Sequence, residues 1–179
     1  MYLAKIMSGD QMLSRPKLLL PKLIAEVKTL PFQHEFGRGI YWQGIDGVNY
    51  RYTNRNHCGV GFSPIFQELK LYIEKIISDR FKIEQEFNHI LCNYYKPNQK
   101  LAAHKDDEPE LIHGIASFSL GDPAAFAYGQ TRDCLDETVL MNGDLLYGDK
   151  EFFTNNYHKV SAPYDDGHRY NFTLRTVQT

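Results

Sequence analysis

The sequence predicts an α+β fold: a jelly roll of about eight short strands, buttressed by helices in the N-terminal half. Three observations carry this. From Phe87 onward, short apolar or alternating runs recur between turn residues, at the spacing of a double-sheet β architecture. Before them lie two segments with helical apolar spacing. Between the helices sits a glycine- and aromatic-rich stretch with one strong hairpin-turn signal, Asp46-Gly47.

Taken in order, Pro21 suits the first turn of a helix over about 21–29. Its ring presets φ, its missing N–H is not needed there, and the helix stops before Pro31. In 32–62, Phe36-Gly37-Arg38-Gly39-Ile40-Tyr41-Trp42 and Val48-Asn49-Tyr50-Arg51-Tyr52 are strand candidates on either side of Asp46-Gly47. Ser63-Pro64 supplies an N-cap and first-turn proline for the clearest helix, with Ile65, Leu69, Tyr72/Ile73 and Ile76/Ile77 in register through about 79. Strands then follow at 88–95, 101–104, 115–120, 125–128, 138–140, 144–147, 156–160 and 170–176. Lys96-Pro97-Asn98, Gly121-Asp122-Pro123, Asn142-Gly143-Asp144 and Tyr164-Asp165-Asp166-Gly167 provide turns between them. No repeat, low-complexity tract or linker divides the chain, so 1–179 reads as a single domain.

Composition narrows the function classes. An apolar share of 42% is that of a globular protein rather than a disordered one. No run approaches the roughly 20 apolar residues of a membrane span. Leu18-Leu19-Leu20 is broken by Pro16 and Pro21, so no signal peptide is read and an intracellular, cytoplasmic location is expected. Cys58, Cys92 and Cys134 include no CxxC pair. That excludes a disulfide framework or zinc finger and leaves free thiols. A net charge of −2 excludes a generic polyanion coat. The charge is uneven, with 14 Lys+Arg against 9 Asp+Glu in 1–100 and 6 against 13 in 101–179. A polyanion, if one binds, would meet the first half; simple surface variation is the competing reading.

Two groups of residues carry chemistry. His104 and Asp106 flank Lys105, so their side chains point the same way along a strand edge, and His158 offers a second imidazole. Two histidines and one carboxylate form the face that holds non-haem Fe(II) and leaves three positions open. An HxD alone is common by chance, so the last strand matters more. At period two, Arg169, Asn171, Thr173 and Arg175 share one face, while Tyr170, Phe172 and Leu174 share the other. If the first face is buried, two guanidiniums need an anion; if it lies on an edge strand, water suffices. Arginine suits a two-pronged carboxylate contact, and Asn93 and Tyr95, on one face of their own strand, could add neutral hydrogen bonds.

Together, His104-x-Asp106, His158 and Arg169-x-Asn171-x-Thr173-x-Arg175 resemble the AlkB family of Fe(II)/2-oxoglutarate dioxygenases, which repair alkylated nucleic acids. Leu91-Cys92-Asn93-Tyr94-Tyr95-Lys96, the Asp-Asp-Glu-Pro run beginning at Asp106 and Ser117-Phe118-Ser119-Leu120-Gly121 support the resemblance. It spans about 87–177 and, more loosely, 31–62. It implies a double-stranded β-helix as catalytic jelly roll at about 87–177, with a β-hairpin substrate lid at about 31–62. It implies Fe(II) on His104, Asp106 and His158, and 2-oxoglutarate on Asn93, Tyr95, Arg169, Asn171 and Arg175, with O2 as the remaining co-substrate. Oxidative decarboxylation would give succinate and CO2. Hydroxylation of a methyl carbon on a base nitrogen would then release formaldehyde. The protein's part is positioning the C–H bond and keeping water out.

The same resemblance implies a substrate layer. A base must leave its stack to reach buried iron, which favours single-stranded positions. Tyr52 would stack on the base opposite the first iron-binding histidine, with Tyr50 hydrogen-bonding nearby; ordinary hairpin packing is the competing reading for both. Asp107 would meet the exocyclic amine of a cationic base such as 1-methyladenine or 3-methylcytosine, or else serve the turn before Pro109. Arg51, with Arg55 and His57, would contact phosphate or be solvated. The sequence departs from the family in its short N-terminal part and in Tyr94, where many relatives carry a basic residue. No clear duplex-prying finger stands out beyond Phe36-Gly37. The expected protein is a monomer with an alkylated nucleic acid as partner and no membrane. The rivals are the same oxygenase acting on a small molecule, nucleotide or protein side chain, and a non-catalytic binding domain.

Overall fold

A computed structural model describes residues 2–7, 19–35, 37–52, 55–133, 135–161 and 167–178. In these residues the eight strands expected from the alternating runs form two facing sheets. The strands are β6 (His89–Tyr95), β7 (Lys100–His104), β8 (Ile115–Gly121), β9 (Ala124–Gly129), β10 (Asp136–Leu140), β11 (Leu145–Gly148), β12 (Tyr157–Ser161) and β13 (Arg169–Arg175). The small sheet runs β10-β9-β12-β7. The large sheet contains β11-β8-β13-β6 and is extended by β1 (Leu3–Met7) at one edge and by β3 (Arg38–Gly44) and β2 (Gln33–Glu35) at the other. Every ladder is antiparallel, as a jelly roll requires.

Strand β13 shows how the sequence divides the structure. It lies between β6 and β8, so both its edges are paired and neither face is left over as an open edge. Phe172 and Leu174 point into the apolar core beneath the helices, with the half-buried Tyr170 packed against it. Arg169, Asn171 and Arg175 are buried on the opposite face, between the sheets. The edge-strand alternative is thereby removed, and the polar face requires partners inside the protein.

Helix α1 (Leu19–Val27) and helix α2 (Pro64–Phe81) cover the outer face of the large sheet through Leu23, Val27, Phe66, Leu69, Ile73 and Ile77. Ser63 caps α2 by accepting the Phe66 N–H at 3.4 Å, and Lys82 ends it in the left-handed region at φ 60°. Helix α1 is described from Leu19, which puts Pro21 in its first described turn, in keeping with the helix expected around that proline. A six-residue helix α3 (Lys150–Asn155), capped by Asp149, was too short to register as a periodic pattern. No helix of the described residues is long and apolar enough to cross a membrane.

The stretch 31–62 differs from the expectation. Asp46-Gly47 does make a turn, with Val48 N–H donating to the Ile45 carbonyl and Gly47 at φ +77°. The flanking strands do not pair across it. β3 joins the large sheet beside β6, and β4 (Asn49–Tyr52) pairs with β5 (Arg55–Cys58) as a separate ribbon. The reason is the returning chain: Gly61 N–H donates to Gly44 and Gly59 N–H to Val48, occupying the backbone groups a β3–β4 hairpin would need. A Cβ on Gly59 would lie 2.0 Å from the Ile45 carbonyl oxygen, so this close approach needs glycine. Phe36, Cys134 and most of the 164–167 turn fall outside the described residues.

Phe172 is fully buried between Phe66 and Phe118, with ring centroids 5.5 and 6.0 Å away. Phe172→Ala is expected to lower stability by about 3–5 kcal/mol, measured by urea unfolding. A loss below 1 kcal/mol would contradict the helix-to-sheet core described here.

Candidate active site

His104 ends β7 and His158 lies in β12, and the two are direct cross-strand partners, so the register itself puts two imidazoles side by side. Their ring centroids are 4.3 Å apart. Asp106 follows as the chain leaves β7, anchored by its N–H to the Phe153 carbonyl at 3.1 Å. His104 Nε2 lies 3.6 Å from Asp106 Oδ1, and His158 Nε2 lies 3.8 Å from Asp106 Oδ2. One ligand atom from each residue falls within 4.8 Å of the others. These separations exceed a hydrogen bond yet suit three donors around one ion. The Ala102 carbonyl accepts a hydrogen bond from His104 Nδ1 at 2.9 Å, which favours the tautomer whose Nε2 lone pair is left for the cluster.

Electrostatics keeps Asp106 and His158 in ligand form. Burial opposes ionisation of Asp106, but Arg175, His158 and His104 outweigh it and hold the carboxyl down at about 2. Burial pushes His158 down to about 4, so its imidazole is neutral at physiological pH. Arg175 Nη2 donates to Asp106 Oδ2 at 3.1 Å; burial alone would lower its pKa, yet Asp106, Tyr50 and Glu108 raise it.

The cavity floor comes from β6, β8 and β13. Tyr95 stands opposite Arg169, Asn93 opposite Asn171, and Ser119 opposite Asn171 on the other side. Arg169 Nη2 donates to Ser119 Oγ at 2.8 Å and Nη1 to the Asp122 carbonyl at 3.2 Å, neutral partners only, and burial draws its pKa down to about 10. Asn171 Nδ2 donates to Ser117 Oγ at 2.7 Å. Among the described residues, Asp106 Oδ1, Arg169 Nε, Arg175 Nε and Nη1, and Arg38 Nη1 are buried without a hydrogen-bond partner, and all four residues line this cavity. Orphaned charged atoms of both signs in one cavity fit a cation on the carboxylate and an anion on the guanidiniums. Leu101, Ile115, Phe126, Leu146 and Phe153 wall the cavity with apolar surface.

The expected substrate residues divide. Tyr50 and Tyr52 are buried; Tyr52 lines both the cavity and an outer groove that also holds His104. Tyr50, Tyr52 and Val177 form a small core beside Trp42, so the packing role is real for both tyrosines. Arg51 is exposed on β4. Arg55 is held by Glu35, and His57 stacks on Trp42 at 4.5 Å. Asp107 is exposed, whereas Glu108 is half-buried, pushed up to about 7 by burial and by Asp106. Tyr94 stacks on Tyr170 and bonds His168. Sequence reasoning missed Arg38, Glu108, Ser117 and Ser119. Arg38 shares its strand face with Ile40 and Trp42 at period two, a signal that a charged residue there is turned inward.

Two outcomes follow. Asp106→Ala is expected to abolish Mn(II) binding in calorimetry and to cost about 3–5 kcal/mol in stability, because Arg175 is left buried beside a missing counter-charge. An unchanged urea midpoint would contradict that pairing. For pH, the unfolded chain protonates histidine near 6.5, while the folded protein holds His158 and His89 down at about 4. The unfolded state therefore binds more protons between these values, and metal-free stability falls as pH drops from 6.5 toward 4. Mn(II), which takes neutral imidazole, should raise the melting temperature more at pH 7.5 than at pH 5.5. A melting temperature flat from pH 7 to 5 in EDTA would refute the assignment.

Comparison with known proteins gives the family. Residues 19–175 match the family model of the 2OG-Fe(II) oxygenase superfamily. The α-ketoglutarate-dependent dioxygenases AlkB of Salmonella typhimurium and Escherichia coli are each 38% identical over 93 residues, covering 48% of this chain and 43% of theirs. The match thus takes in less than half the length of those relatives. Among solved structures, OsALKBH1 superposes with a TM-score of 0.67 at 18% identity, covering 98% of this chain and all of that one. A Pseudomonas putida prolyl-4-hydroxylase gives 0.59 at 12% identity, covering 99% and 92%, and both share the fold. Fe(II), 2-oxoglutarate and O2 are the cofactor and co-substrates of this family, and the donors described above fit them. The chain belongs to the 2OG-Fe(II) oxygenase superfamily, and its sequence likeness within it is to the AlkB dioxygenases.

Proposed function

We propose that the protein is an Fe(II)- and 2-oxoglutarate-dependent dioxygenase that removes small N-alkyl groups from nucleic-acid bases, acting preferentially on single strands as a monomer. The observation that carries the oxygenase reading is one cavity holding His104, Asp106 and His158 together with the buried guanidinium of Arg169, whose hydrogen-bond partners are the neutral Ser119 hydroxyl and Asp122 carbonyl; the likeness to the AlkB dioxygenases supports the substrate class. His104, Asp106 and His158 would hold the metal; Asn93, Tyr95, Arg169, Asn171 and Arg175 would hold the keto acid. Bound iron supplies the oxidising chemistry, in which O2 and 2-oxoglutarate yield succinate and CO2 and an N-methyl group leaves as formaldehyde.

The chain's own residues do the rest. Arg169 offers a dry, preorganised fork to a carboxylate, backed by Ser119. Arg175 keeps Asp106 ionised and so keeps the metal carboxylate charged. The apolar walls exclude water from the reacting carbon. Tyr52, on the groove it shares with His104, presents a ring on which a flipped base can stack. Of the two acids after Asp106, Glu108 is half-buried and feels the charges of Asp106 and Arg175, and we assign to it the contact with the base amine that Asp107, exposed, is less suited to make. Arg51, exposed beside Tyr52, is suited to a flanking phosphate.

With Fe(II), 2-oxoglutarate and a 3-methylcytosine oligonucleotide, formaldehyde and succinate are expected in near-equal amounts, faster on single strands than on duplex. Succinate appearing only with a small molecule or a peptide would overturn the substrate class. Tyr52→Ala should lower oligonucleotide turnover roughly 10-fold or more while substrate-free 2-oxoglutarate consumption persists. Equal loss of both would point to misfolding instead.

A further inference from the structure

Arg38 is a third fully buried guanidinium on the cavity, and nothing in the reaction above uses it. Its Nε donates to Asn93 Oδ1 at 2.6 Å and its Nη2 to the Tyr52 hydroxyl at 3.2 Å. Its Nη1 has no partner among the described residues. It also lines the outer groove with Tyr52 and His104, so it stands between the floor and the mouth.

The two partners belong to parts of different rigidity. Asn93 is mid-strand in β6, and its Nδ2 faces Asn171 Oδ1 at 3.4 Å and Thr173 Oγ1 at 3.3 Å; Asn171 in turn bonds Ser117. Tyr52 is on β4, whose only strand partner among the described residues is β5. A continuous polar chain therefore runs from Ser117 through Asn171, Asn93 and Arg38 to Tyr52. The guanidinium is a flat fork with fixed angles between its donors, so re-aiming one prong re-aims the other. Arg38 holds the oxygen end of the Asn93 amide, which leaves the Asn93 N–H groups toward the floor. A carboxylate arriving there would compete with Asn171 and Thr173 for those N–H groups, and an amide re-set in this way would carry the change through Oδ1 to Arg38.

We propose that Arg38 is a positioning residue that links the setting of the Tyr52 ring to occupancy of the 2-oxoglutarate pocket. The inference rests on the reading that this cavity takes 2-oxoglutarate. Its consequence is order: the base-facing ring is set once the co-substrate is in place, so a base docks on a site that already holds the keto acid.

The chain carries its own reporter. Trp42, its only tryptophan, stacks on His57 and lies 5.4 Å from both Tyr50 and Tyr52. Under anaerobic conditions with Mn(II), titrating 2-oxoglutarate into the wild-type chain should change Trp42 emission in step with binding measured by calorimetry. Arg38→Gln and Tyr52→Phe should still bind 2-oxoglutarate but lose that emission change, and the double variant should lose nothing more. In turnover, each should raise the oligonucleotide KM roughly 10-fold, the scale of one hydrogen bond to a charged group, with the 2-oxoglutarate KM moving far less. A wild-type chain that binds 2-oxoglutarate silently overturns the inference, as does an Arg38→Gln variant that keeps the response or a double variant whose losses multiply. If Arg38→Gln does not fold, Tyr52→Phe alone decides, since it removes a single oxygen. A wild-type chain that binds no 2-oxoglutarate fails the parent reading, a distinct outcome.

Discussion

One buried carboxylate organises the site. Asp106 sits out of water with two imidazoles and a guanidinium around it, and it remains ionised because those groups outweigh the cost of burial. That balance has a consequence for the whole cavity. Asp106 already answers Arg175, so a divalent cation added to the cluster leaves the cavity with a large excess of positive charge, increased by Arg169 and Arg38. A single carboxylate ligand would not neutralise it. A small dianion offsets twice as much of it, and a keto diacid does so with two ends that separated guanidiniums can hold. Metal and co-substrate are, in electrostatic terms, one requirement.

The jelly roll makes that requirement affordable by segregating the polar face of β13 from its apolar one. Phe172 and Leu174 join the helices in the main core, while the alternate residues meet the second sheet across a cavity. The arginines are buried, so their donors act in surroundings of low dielectric constant, where a charged partner counts for more. The small sheet contributes the histidines because β7 and β12 are neighbours in it; had β12 paired elsewhere, His158 would face another partner.

What could be read beforehand follows the range of each signal. Period-two alternation is local, and the eight jelly-roll strands and the two faces of β13 were legible from it. The nearness of His158 to His104, 54 positions apart in the chain, is a matter of strand order that no spacing encodes; there the family resemblance supplied what periodicity could not. Asp46-Gly47 shows the same division. The turn forms, since its chemistry is local, but the pairing partner of β4 is decided by glycines that bring the returning chain against Gly44. Asp107 and Glu108 lie in an irregular segment without a period, so nothing in the letters said which acid turns inward. Arg38 was hidden for a different reason: a charged residue among glycines and aromatics reads as surface unless the strand is already known to be enclosed.

The floor and the mouth are built to different tolerances, and the chemistry assigned to each explains why. Asn93, Arg169, Asn171 and Arg175 sit on strands with paired neighbours on both sides, where register holds donor positions against thermal motion. A reaction that must aim at one C–H bond needs that stiffness. Tyr52 sits on a two-stranded ribbon, a unit that is marginal by itself and takes its order from packing on Trp42 and Val177 and from its bond to Arg38. A mouth that admits the primary substrate gains from a contact that can adjust. Arg38 is where these tolerances meet, and a buried cation with one donor to the rigid sheet and one to the ribbon is a costly device unless the two must be kept in step.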